Sequence, residues 1–67
     1  MTPNEIREFY LDLLTRRLDA MDAGADLATV NGIEYDIDVT ERLAESRGID
    51  LTETEQRFRA ANADQPE

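Results

Sequence analysis

The chain has 67 residues, 16 acids against 7 bases, and no histidine, cysteine or tryptophan. A chain this short supports one small domain that buries about 60% of its unfolded surface, which leaves little room for a core together with an enclosed catalytic cavity. Without cysteine there is neither a disulfide nor a thiolate-bound metal, and the default expectation is a cytoplasmic protein.

No apolar run approaches the length needed to cross a bilayer, and the first residues lack both the basic flank and the hydrophobic core of a secretion signal. The formal net charge is −9, and all seven bases are arginine. Such a field repels DNA, RNA and anionic lipid, so direct binding to nucleic acid or membrane is disfavoured and basic surfaces are attracted. The same excess of acid without lysine also arises as a proteome-wide habit of halophiles or of high-GC genomes.

Thr2-Pro3-Asn4-Glu5 carries a helix-start signature: Thr2 as cap, Pro3 at the first helical position, Glu5 reaching back to the cap. The predicted helix runs from about Pro3 to Asp22. At 100° per residue, Ile6, Phe9, Tyr10, Leu13, Leu14, Leu18 and Met21 form an apolar arc, while Glu5, Glu8, Asp12, Asp19 and Asp22 gather opposite. Arg7 and Arg17 fall at the flank of that arc or within it, where their stems can pack. Gly24 is placed to end the helix.

Asn31-Gly32 then separates Leu27-Ala28-Thr29-Val30 from Ile33-Glu34-Tyr35-Asp36-Ile37-Asp38-Val39. Asn-Gly between such runs is the strongest short-range signal for a type I′ hairpin. The alternation puts Ile33, Tyr35, Ile37 and Val39 on one strand face and Glu34, Asp36 and Asp38 on the other. Thr40 to Arg47 reads as a short helix stopped by Gly48, and Thr52-Glu53-Thr54-Glu55 opens a last helix through about Asn62, anchored by Leu51 and Phe58. The expected fold class is α+β, in the order α-β-β-α-α. One acidic domain spans residues 1–62, residues 63–67 form a flexible tail, and self-association as a homodimer would help so small a core.

Catalysis lacks its usual players, since histidine, cysteine and lysine are absent and no general base stands beside Ser46 or the threonine and tyrosine hydroxyls. The chain is therefore expected not to be an enzyme and to carry no cofactor. Asp19, Asp22, Gly24 and Asp26 superficially suggest a calcium loop, but the EF-hand spacing would require a bidentate Glu where Val30 stands, so no metal site is expected.

Leu43-Ala44 followed by Gly48-Ile49 and a capped helix is similar to a helix-turn-helix, yet the would-be recognition helix opens with Glu53 and Glu55. The order of strand 33–39, helix 40–47 and helix 52–62 resembles a ribbon-helix-helix antitoxin, which implies an outward strand face in the major groove. Here that face would be Glu34, Asp36 and Asp38, which have no donors for bases.

The acids themselves supply the functional expectation. Glu34, Asp36 and Asp38 on the strand, and Glu8, Asp12 and Asp19 in line with Glu5 on the first helix, would make two regular rows of negative charge. In size and acid excess the chain resembles, in kind, the DNA-mimic inhibitors of phages and mobile elements, including anti-CRISPR and anti-restriction proteins. The resemblance implies a non-enzymatic module that occupies the nucleic-acid-binding site of a basic protein, with those six residues as the partner-binding set. The alternative is an antitoxin-like, structural or regulatory subunit, acidic only for solubility, that binds through apolar surface with Leu51, Phe58, Arg7 and Arg17.

Overall fold

The computed structural model describes residues 1–62, and the expected tail at 63–67 lies outside them. The described residues form three helices: α1 Pro3–Asp22, α2 Leu27–Ser46 and α3 Thr52–Asn62. No strand occurs among them, so the α+β expectation is corrected to an all-helical fold.

α1 begins and ends as its sequence dictates. Thr2 Oγ1 accepts from the Glu5 backbone N–H at 3.2 Å, and Glu5 Oε1 accepts from the Thr2 N–H at 3.0 Å, a reciprocal capping box. Glu5 titrates below its usual range because these donors, the backbone N–H first, favour its charged form. At the other end Gly24 has φ +72, and the Ala25 N–H donates to the Ala20 carbonyl at 2.9 Å. That geometry is a Schellman stop, and a left-handed residue is cheap there only as glycine.

α2 replaces the expected hairpin and the expected short helix together. Its true start is Asp26, whose Oδ1 accepts from the Thr29 N–H at 2.9 Å. From there the helix runs 20 residues straight through Asn31-Gly32. The alternation that suggested a strand is also compatible with a helix, because residues two apart include every pair four apart. Ile33 and Ile37 fall on one helical face, with Val30, Thr40 and Ala44, and Tyr35 and Val39 fall on the opposite one. Glycine inside the helix costs about 1 kcal/mol relative to alanine, but burying Ile37 alone returns about 2 kcal/mol, and the hairpin had no third strand to stabilise it. Thr40, expected to open a helix, sits 3% exposed in the middle of this one, and its hydroxyl donates to the Asp36 carbonyl at 2.7 Å.

The stop at Gly48 falls where the sequence placed it. Its φ is +70, and the Ile49 N–H donates to the Ala44 carbonyl at 2.8 Å. At the start of α3 the acceptor is Asp50 rather than Thr52: Asp50 Oδ1 takes the Thr52 N–H at 2.8 Å.

The core is built mostly between the first two helices. Ile6, Tyr10, Leu13 and Leu14 of α1 meet Ile37 and Ala44 of α2, and Leu51 joins them just before α3. Ile33, Leu43, Ile49 and Phe58 are half-buried against that cluster. α3 packs on α1 without one fully buried side chain and does not approach α2. The result measures 35 × 28 × 14 Å, half as thick as it is wide. Its radius of gyration of 12.6 Å exceeds the roughly 11 Å of a compact chain this long.

Candidate interaction surface

The six acids singled out by the sequence are all exposed, but they are not arranged as expected. On α1 the row is real. Glu8, Asp12 and Asp19 lie with Glu5 within about 60° of one another around the helix, on the side away from the core. On α2 the expected strand row is dissolved. At 100° per residue Glu34 and Asp38 are close to one another, whereas Asp36 points to nearly the opposite flank. A different row takes its place, because Glu41 and Glu45 follow Glu34 and Asp38 at helical spacing on the same flank. Read as a helix from Asp26, the sequence contains this row; read as a strand, it hides it.

Two of the six acids are already paired. Asp12 Oδ2 stands 2.9 Å from Arg16 Nε, and Asp38 Oδ2 stands 3.0 Å from Arg42 Nη2. Glu53 with Arg57 and Glu55 with Arg59 repeat the arrangement on α3, each at 2.6 Å. All four pairs place the acid four residues before the arginine, the favourable order on a helix, and each contributes about 0.3–0.5 kcal/mol at such exposure. They take arginine charge off the surface more than they hold the fold together.

Where α2 and α3 flank α1, an open cleft is lined by Tyr10, Glu41, Glu45, Ile49, Leu51 and Glu55. Tyr10 forms its floor at 2% exposure, and its hydroxyl donates to Glu41 Oε2 at 3.3 Å. Burial, then the charges of Glu41 and Glu55, push the Tyr10 hydroxyl up to about 12. The phenol is thus held as a neutral donor to Glu41.

The calcium-loop acids are employed otherwise. Asp26 caps α2 and titrates below its usual range through hydrogen bonding from Thr29, its side chain first and its backbone N–H second, while Gly24 serves the Schellman stop. Among the described residues no group of three or more acids is disposed to hold a metal ion. Nor is any described helix long and apolar enough to cross a membrane.

The apolar residues of the alternative reading are turned inward. Leu51 is 8% exposed and Phe58 packs against the core. Arg7 donates to Asn4 Oδ1 at 3.3 Å, and Arg17 is half-buried, close enough for its charge to act on Tyr10. The exposed apolar side chains are others: Leu27 at 74%, Tyr35 at 68% and Val39 at 44% on α2, Phe9, Leu11 and Met21 on α1, and Met1 before it.

The resemblances to DNA-binding modules fare differently from the acids. The ribbon of a ribbon-helix-helix protein is absent, since its residues belong to α2. The two helices that suggested a helix-turn-helix do not pack backbone to backbone, with no Cα–Cα approach within 8 Å between them. Compared with known proteins, the chain matches no protein family, no curated protein and no solved structure. The chemistry of the surface is therefore the basis for function.

Proposed function

We propose that this chain is a non-enzymatic acidic module that binds a basic protein surface, in its sharpest form an inhibitor that blocks a nucleic-acid-binding site. The observation that carries the reading is the pair of exposed helical acid rows, Glu5-Glu8-Asp12-Asp19 on α1 and Glu34-Asp38-Glu41-Glu45 on α2. Fixed carboxylates on rigid helices steer a cationic partner and discriminate against anionic ones, and they act through association rate more than through residence time.

Charge density sets a limit on mimicry. The α1 row carries four acids over about 21 Å of helix axis, one of them paired with Arg16, whereas duplex DNA carries one charge per about 1.7 Å. Charge of this density steers a partner but does not reproduce a duplex, so apolar contact must share in holding the complex. The exposed Tyr35 and Val39 supply such contact, which is the one element of the alternative, apolar-docking subunit that has an observation in its favour.

The test is capture of partners by the intact chain, followed by association kinetics of the captured protein across salt. Replacing Glu8, Asp12 and Asp19 by Gln and Asn should slow association and flatten its salt dependence while the helical content stays unchanged. Unchanged kinetics in that variant and in the matching Glu34, Asp36 and Asp38 variant would overturn the proposal.

A further inference from the structure

α2 carries two apolar stripes, and only one has a partner inside the molecule. Val30, Ile33, Ile37, Thr40 and Ala44 face α1. Ala28, Gly32, Tyr35 and Val39 lie opposite, all exposed, at spacings of four, three and four residues. Such spacing is that of a helix seam, and at 100° per residue the four positions stay within about 60° over three turns. The stripe is narrow and straight, small at its first end and bulky at its second. That shape suits one helix laid along it and gives a sheet or loop little to hold.

Gly32 adds an independent observation. It is a helical glycine whose missing Cβ would meet nothing within 4 Å, so the fold itself has no use for it. On the stripe, it leaves a gap through which another backbone can approach.

The rim selects the occupant. Asp36 borders the stripe on one side and Asp38, paired with Arg42, on the other, while Glu34 lies further round towards Val30, so two of the three acids that the sequence singled out as one row instead flank a seam. α2 holds five carboxylates and one arginine, and that arginine is occupied by Asp38. A second copy of this chain would set a helix of net charge −4 against another of the same charge. A helix with lysine or arginine beside its own apolar seam would meet the unpaired Asp36 along one edge and could compete with Arg42 for Asp38 along the other.

We infer that the outward face of α2, with Ala28, Gly32, Tyr35 and Val39 as seam and Asp36 and Asp38 as rim, docks a basic amphipathic helix of a partner protein. The inference rests on the reading of the chain as an acidic binding module, and it names the face and the shape of what binds there.

The probe is a synthetic helical peptide of about three heptads with leucine and alanine at the seam and arginine at both flanks, read by fluorescence anisotropy. A twin with glutamate at the flanks is the control. The basic peptide should bind and the acidic twin should not, with much of the affinity persisting in about 0.5 M salt, where exposed charge is screened. Tyr35→Ala with Val39→Ala should weaken binding at least about tenfold, and Gly32→Gln should do so independently, both with unchanged circular dichroism.

Equal binding by the seam variants, combined with loss on substitution of Glu8, Asp12 and Asp19, would overturn the α2 face and leave the acidic-module reading standing. Absence of binding to the basic peptide, together with unaltered salt dependence toward captured partners, would overturn both. Concentration-dependent dimers that vanish in the Tyr35 and Val39 variant would assign the face to a second copy and overturn the basic-helix proposal.

Discussion

Tyr10 and Glu41, 31 residues apart, meet across the α1–α2 seam, where the phenol donates to the carboxylate at 3.3 Å. The bond joins a buried ring of the core to the acid row of the surface. It is also the one place among the described residues where an ionisable group is strongly displaced from its ordinary value.

Tyr10 should make the protein alkali-sensitive. Its hydroxyl is raised from 10.0 to about 12 in the fold, so the native state holds the proton more tightly than the unfolded chain. The stability so contributed is present in full below pH 10 and is lost as pH rises through about 12, to an extent on the order of 2 kcal/mol. Chemical denaturation followed by circular dichroism between pH 9 and 12 measures it. Tyr10→Phe should remove most of that slope, and an equal slope in the variant would refute the assignment.

The three glycines should respond oppositely to alanine. Gly24 and Gly48 hold φ of +72 and +70, so a Cβ there costs roughly 1–2 kcal/mol in each case. Gly32 is helical with open space around it, so Gly32→Ala should stabilise by about 0.5–1 kcal/mol. A destabilised Gly32→Ala variant in thermal melts would contradict the continuous α2.

Removal of the Asp26 cap tests the same helix at its start. Asp26→Ala takes the acceptor from the Thr29 N–H and should lower the melting temperature by about 5 °C. The effect of the native cap should fade in acid, because the carboxyl's titration is displaced downward and its benefit is lost only as pH falls through that lowered value. Identical melts for the two proteins at neutral pH would show that the helix does not begin there.

Phe58→Ala should loosen the third helix alone. The side chain is the half-buried anchor of α3, and truncation should cost less than the 3–5 kcal/mol of a fully buried phenylalanine. Amide exchange should accelerate through residues 52–62 with little change in α1 and α2. Uniform acceleration across all three helices would mean that α3 is integral to a single cooperative unit.

Both ends of α1, the glycine stops and the weak last helix were legible in the sequence, because each follows from local chemistry: a capping box, a left-handed position, a scarcity of apolar residues. The middle was not. Asn31-Gly32 is a hairpin signal only if the flanking runs are strands, and seven residues alternating by two cannot separate a strand from a helix whose opposite faces are both apolar. What decides is the window: from Asp26 to Ser46 the inner positions recur at three and four residues, a period visible only when the capping aspartate is taken as the origin. The α1 acids were found for the same reason that α1 was. The α2 acids were found as residues but misplaced as a pattern, since a row spaced by two on a strand becomes, on a helix, two flanks of a stripe.

The poor burial of α3 has a consequence for the life of the molecule among proteases. Cleavage requires a stretch of backbone to leave the body and enter an extended groove, and the segment that leaves most cheaply is cut first. Residues 52–62 contribute Phe58 to the edge of the core and no fully buried side chain, so digestion should begin there and pause once the paired helices are all that remains.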